Sequence, residues 1–243
     1  MISLKIINKI LSRRAIWIQG YNRSGKTALA LDIAEVFLKS NWRLVSNLNC
    51  VWNELLPIDL DSNKQLNALV VLDEAGVFMR TKESIRLIMG AKGKLNCVFL
   101  LPSTEAPHED LWGAYIEPHY LLNWGLEKFF GRSFVENYLK VWKFIEFDPK
   151  TGYKTTLFLQ YHPKSYYYLY STLSFGISVE DILSQFQKSL SDQQESIGNT
   201  NPLGLYDVAT KRSGIGEASS FLSQQVATFQ SEGRRKLFSS KSK

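Results

Sequence analysis

Apolar and polar positions change rhythm along this chain, and each change predicts an element. Residues 2–12 place apolar side chains at 2, 6, 7, 10 and 11, with Leu4 near that face and lysines opposite. This is helical spacing. Such a helix packs on the core, on a neighbouring subunit or on a membrane surface, and its shortness favours the first two. Residues 15–18 are an apolar run that predicts a strand. Residues 28–38 predict a helix, and residues 43–49 a second strand. Residues 51–64, with Pro57 and several Asp, Asn and Ser, read as a loop. Residues 68–72 are unbroken apolar, as in a strand buried on both faces of a parallel sheet, and end in Asp73 and Glu74. Residues 81–92 look helical, and residues 96–101 predict another buried strand, followed by Pro102, Ser103 and Thr104.

The rhythm changes after about residue 115. Residues 141–147 and 153–161 flank Asp148-Pro-Lys-Thr-Gly152, which predicts an antiparallel hairpin. The aromatic run at residues 166–170 reads as strand core or edge packing ahead of nucleobase stacking. Ser178, with Asp181 three residues on, resembles a capping box opening a helix. Residues 190–215 turn to Ser, Gln, Gly and Asn and read as a linker. Strands alternating with helices predict an α/β fold, with a mostly parallel central sheet flanked by helices and a hairpin late in the core. Residues 1–190 form that domain, with residues 1–14 as its amphipathic helix. Residues 191–243 are expected to be a linker and a basic tail.

Between the first strand and its helix lies Gly20-Tyr-Asn-Arg-Ser-Gly-Lys-Thr27, which fits G-x-x-x-x-G-K-[ST] at every position. A polyphosphate needs several donors at once, and a loop entering a helix offers backbone N–H groups and the positive dipole end. Gly20 and Gly25 let the loop curl and its backbone approach the phosphates. Tyr21, Asn22, Arg23, Ser24 and Ala28 complete the cradle. Lys26 supplies a charge at the β- and γ-phosphates, and Thr27 a hydroxyl for Mg²⁺. Asp73, at a strand end, is the expected second metal ligand, and Glu74 the group that orients or deprotonates the attacking water. Ser103 or Thr104, on the next strand end, is expected to sense the γ-phosphate. Arg80, Arg86 and Arg132 are candidates for a positive charge delivered to that phosphate, Arg80 first. In a parallel sheet these strand ends meet at one edge.

Composition narrows the partners. The net charge is +6. Residues 1–14 carry four basic and no acidic side chains, and residues 198–243 carry seven basic and three acidic ones. The middle is thus slightly acidic. Basic ends on such a core suit a polyanion such as DNA, and equally suit solvated tails. No stretch is apolar enough to predict a membrane span or a secretory signal. The two cysteines and three histidines are scattered, which predicts reduced thiols and no metal cluster.

Gly20 to Thr27, then Arg43-Leu-Val-Ser-Asn, then Leu72-Asp-Glu-Ala-Gly-Val-Phe-Met-Arg80, resemble the FtsK–HerA superfamily of P-loop ATPases. The nearer members are the zonula-occludens-toxin-like phage assembly ATPases and the small packaging ATPases of membrane-containing viruses. Residues 168–172 resemble their final strand. The resemblance spans roughly residues 14–173. It implies an ATP- and Mg²⁺-dependent homo-oligomeric ring that translocates or packages DNA, double-stranded or single-stranded, through its basic termini. It also implies capsid or assembly proteins as partners, in the host cytoplasm or with the virion. The toxin-like branch carries a membrane helix after its ATPase domain. None is read here, which favours the soluble packaging type. The Gln that many members carry after the strand matching residues 96–101 is replaced by Pro-Ser-Thr-Glu.

Two other classes fit part of the pattern. Asp73-Glu74-Ala-Gly-Val-Phe78 after a phosphate loop also resembles the thymidine kinases, whose four-cysteine zinc lobe two distant cysteines cannot build. A nucleotide-dependent switch or assembly scaffold needs the same loop without motor activity.

Overall fold

The structure, a computed structural model, describes residues 2–50, 67–107, 113–161, 170–175 and 178–198. Its centre is a seven-stranded sheet. Strand β1 (Ala15–Gln19) lies between β5 (Val98–Ser103) and β6 (Ala114–Pro118), and β4 (Ala68–Val71) separates β5 from β2 (Arg43–Ser46). These five strands are parallel to their neighbours. Beyond β6 the sheet continues antiparallel through β7 (Leu139–Asp148) and β8 (Gly152–Tyr161), which form the expected hairpin. A separate pair joins β3 (Leu48–Cys50) to β9 (Tyr170–Phe175).

Side-chain alternation assigns the two layers. Ile16, Ile18, Leu69, Val71, Val98 and Leu100 pack towards helix α2 (Lys26–Leu38) and helix α1 (Leu4–Arg13). Ala68, Val70, Leu72, Phe99 and Leu101 pack towards α4 (Lys82–Lys94) and α7 (Val179–Gly198). Strands covered on both faces must be apolar at every position, as β4 and β5 are at almost every one. Ile2, Ile6, Ile7 and Ile10 are buried in the first layer, so the amphipathic N-terminal helix packs on its own core.

Several expectations change. Residues 43–49 are two strands rather than one. The break falls at Asn47, whose buried side chain turns to the backbone of Asp73 instead of continuing the ladder. A short helix, α3 (Ala75–Phe78), precedes α4. Thr81 caps α4 by accepting from the Ser84 amide at 3.2 Å. Strand β5 runs on through Pro102 to Ser103. Ser178 accepts from the Asp181 amide at 3.0 Å, as its capping role requires, but α7 continues to Gly198, into the stretch read as linker. Its apolar positions at 179, 182 and 186 are buried against the second layer and carry the helix past its polar end. The chain divides into two compact units, residues 1–196 and 197–243, and almost all of the second lies outside the described residues. So does most of the aromatic run at 166–170.

The basic N-terminus is engaged within the fold. Lys9 and Arg13 both pair with the buried Glu146. Arg14 donates to the Lys92 carbonyl in the last turn of α4 at 2.9 Å, where a cation complements the helix dipole. Three of the four N-terminal cations, which suited a polyanion or solvent equally, are therefore paired within the fold. The seven basic residues of the other end lie outside the described residues.

Between β6 and β7 the chain forms α5 (Tyr120–Phe130) and α6 (Arg132–Tyr138), which the sequence pattern did not predict. None of the residues of α5 is buried, although most are apolar. Phe129 is 85% exposed and Leu121 79%. The helix pair and β8 border a groove of about 680 Å³ lined by Leu126, Phe130, Phe134, Leu157 and Tyr161 among others.

Candidate functional site

The carboxyl ends of β1, β4 and β5 open at one edge of the sheet. The Gly20 amide donates to the Ser103 carbonyl at 3.2 Å, tying the start of the 20–27 loop to the end of β5. A Cβ on Gly20 would lie 2.5 Å from Ser24 Oγ and 3.3 Å from Ser24 Cβ, so a larger residue there would make Ser24 shift. Gly25 has φ +91° and opens α2 with no side-chain cap. The first amides of α2 therefore keep their donor capacity, at the positive end of a 13-residue helix. Tyr21, Asn22 and Arg23 are exposed on the outer turn, and Ala28 is buried. Ser24 Oγ is buried without a hydrogen-bond partner, as a group awaiting a polar ligand would be.

Lys26 and Thr27 follow. Lys26 is only 6% exposed, and its Nζ donates to the Tyr21 carbonyl at 3.1 Å. Burial lowers its pKa, opposed by the negative charges of Glu74 and Asp73. Thr27 Oγ1 donates to the Asp73 carboxylate, 3.1 Å from one oxygen and 3.2 Å from the other. The two expected metal ligands, 46 residues apart, are thus in direct contact. Asp73 is buried, and its carboxyl is pushed up to about 6. Desolvation is the main cause and the Glu74 charge the second, with the Thr27 hydroxyl and Lys26 opposing. Such a carboxylate fits a divalent cation, which would favour its ionised form and take both Thr27 and Asp73 as oxygen ligands. No groups of three or more potential metal ligands gather among the described residues.

What aims Asp73 is a residue that sequence reasoning placed inside a strand. Asn47 Oδ1 accepts from the Asp73 amide at 2.8 Å, and Asn47 Nδ2 donates to the Asp73 carbonyl at 3.1 Å. The amide pair clamps the backbone on both sides. The signal was a polar Ser46–Asn47 step at the end of an apolar run. Glu74, next in the chain, has left-handed backbone, φ +55° and ψ +39°, uncommon for a residue with a Cβ. That turn starts α3.

Between the loop and the acids sits Ser103. Its hydroxyl accepts from the Gly76 amide at 3.2 Å and the Glu105 amide at 3.0 Å. Of the two hydroxyls considered as sensors, Ser103 is buried at the centre of the edge and Thr104 is exposed beyond it. Arg80 lies along the same edge, where Nε donates to the Gly76 carbonyl at 3.3 Å and Nη2 to Glu105 Oε1 at 3.2 Å. Arg86 is exposed on α4. Arg132 is exposed on α6, paired with Glu136 one turn on. Among the described residues neither is placed at this edge by a hydrogen bond or ion pair.

A further lysine was not foreseen. Lys140, near the start of β7, donates its Nζ to the Ser24 carbonyl. Burial lowers its pKa, and the positive charge of Lys26 lowers it further. A lone lysine in an alternating strand carries no distinguishing pattern.

No protein-family model matches the chain, and no curated protein matches it. The reading of the edge therefore rests on its own chemistry. It gathers donors at a helix start, a buried lysine, a hydroxyl–carboxylate pair and a second carboxylate. Such a set suits binding a phosphate chain with a metal ion and activating water beside it.

Proposed function

We propose that this protein is a P-loop ATPase whose ATP hydrolysis drives movement of DNA, as the resemblance to the FtsK–HerA superfamily implies. One observation carries the reading: the Thr27 hydroxyl lies on the Asp73 carboxylate beside the buried Lys26. The loop and first-turn amides bind the β- and γ-phosphates, with Lys26 as the counter-charge. Thr27 and Asp73 would hold Mg²⁺, which would supply charge neutralisation on the phosphate oxygens. Glu74 takes up the proton of the attacking water. Arg80 and Ser103 stand along the edge, and a homo-oligomeric ring brings a second subunit to it. DNA contact falls to the basic residues between 211 and 243, because most N-terminal cations are held in the fold.

The test is the ATPase rate of the full chain with and without single- and double-stranded DNA at low and high salt. The expected result is hydrolysis that DNA stimulates and salt suppresses. Hydrolysis indifferent to both DNA forms removes the motor assignment and leaves the ATPase. Absence of nucleotide binding removes both.

A further inference from the structure

We infer that Lys140 is a positioning residue of the phosphate site, holding the Ser24–Gly25 peptide so that the Gly25 amide faces the bound phosphates. The inference rests on the nucleotide reading and adds to it a residue from the antiparallel half of the sheet.

One peptide plane sets the direction of the Gly25 amide. In a trans peptide the carbonyl of one residue and the amide of the next point in opposite directions. Lys140 Nζ draws the Ser24 carbonyl towards β7. The Gly25 N–H must then point away from Lys140, into the turn that leads to α2. Among the described residues no backbone carbonyl accepts from that amide. It is a donor held in place and left available for a ligand.

The surroundings fix the lysine. Its Nζ lies 5.6 Å from the centre of the Trp142 ring, one residue further along the same face of β7. The Trp142 indole is locked in turn by donating to Gln160 Oε1 at 2.9 Å in the core. Asn123 of α5 accepts from the Val141 amide at 2.9 Å, which anchors the backbone beside Lys140. Gly25 leaves room for the contact, since a Cβ there would stand 3.3 Å from Lys140 Nζ on a backbone already at φ +91°. The glycine thus serves the turn and admits the lysine. The half-buried amine of Lys140 lies near the buried Lys26, whose positive charge disfavours its own. A polyphosphate relieves that repulsion, so part of its affinity comes from a strand outside the loop motif.

The test uses the full chain with Lys140→Met and Lys140→Arg. Binding of ATP and of inorganic tripolyphosphate is measured beside kcat, KM and melting temperature. The expected result for Lys140→Met is an affinity about tenfold weaker for both ligands, as for loss of one oriented charge-assisted contact. kcat should stay within about twofold, because Glu74 and Thr27 are untouched. Lys140→Arg should recover most of the affinity. In wild type, tripolyphosphate should move the Gly25 amide resonance among the most of any in the chain. Wild-type affinity in Lys140→Met, or an unmoved Gly25 amide, overturns the assignment of Lys140 while leaving the nucleotide site in place. Equal losses of affinity, kcat and melting temperature in both variants also overturn it, as the mark of a merely structural lysine. Wild type that binds neither ligand overturns this inference together with the nucleotide reading.

Discussion

The two halves of the main sheet solve opposite problems. At the carboxyl edge of β1, β4 and β5, polar groups are buried and several are held through backbone, while Ser24 Oγ is left without a partner. Asn47 clamps Asp73, Ser103 holds Gly20, Gly76 and Glu105, and Lys26 reaches Tyr21. At the antiparallel end, α5 and α6 do the reverse and leave apolar side chains at the surface. Burying polar groups costs stability unless each is satisfied, so the first region is specified residue by residue. Exposed apolar groups specify little by themselves. The contrast teaches that the proposed chemistry is placed where burial and polarity coincide, while the apolar face is exposed.

Glu74→Gln should break the contrast most sharply. Turnover should fall about a thousandfold, as for loss of a general base, while ATP binding persists. An unchanged hydrolysis rate would remove Glu74 from its role. Next in size is Phe144→Ala. Phe144 is fully buried in the first layer, and its truncation should cost about 3–4 kcal/mol in chemical denaturation.

Asp73→Asn should act in the stabilising direction. The folded chain holds the Asp73 proton more tightly than the unfolded chain, with a carboxyl at about 6. Stability therefore falls as pH rises from roughly 4 to 6, and stays lower above that window. Removing the charge should stabilise the nucleotide-free protein by on the order of 2 kcal/mol at pH 7.5, with no gain below roughly pH 4. Denaturation at the two pH values reads the difference, and a variant less stable at pH 7.5 would refute the carboxylate's cost. The smallest effect belongs to the other region. Phe129→Ser on α5 should change stability by no more than about 0.5 kcal/mol, because that side chain is 85% exposed. A large loss would show that α5 contributes to the core.

How far the sequence could be read follows the same division. The loop, its helix, the two-faced strands β4 and β5 and the hairpin were legible, because local pattern and burial agree there. The pairing of Thr27 with Asp73 was legible as a strand-end argument. Asn47 was not, because a side chain that satisfies a distant backbone looks in sequence like a polar step in a strand. Lys140 was hidden for the same reason, since its partner is a carbonyl. The choice between Ser103 and Thr104 needed the end of β5, which continues through Pro102 against expectation. Helices α5 and α6 escaped because α5 is apolar at most of its positions and α6 is a seven-residue mix of polar and apolar side chains, so neither gives a clear period to count. The N-terminal lysines and arginines looked free because their partners, Glu146 and the Lys92 carbonyl, are remote in the chain.

Ser103 carries a last consequence, which concerns the order of folding. Its three bonds join segments that begin at residue 20, residue 76 and residue 105. The bonds to Gly20 and Gly76 are not local to a single helix or hairpin, and closing such separations is slow relative to forming α1 or β7–β8. The edge therefore completes only when β5 has been inserted between β1 and β4. A chain caught before that step has its glycine loop and its acids, but no fixed distance between them. Nucleotide affinity measured during refolding should thus appear late and all at once, making binding itself a reporter of finished sheet assembly.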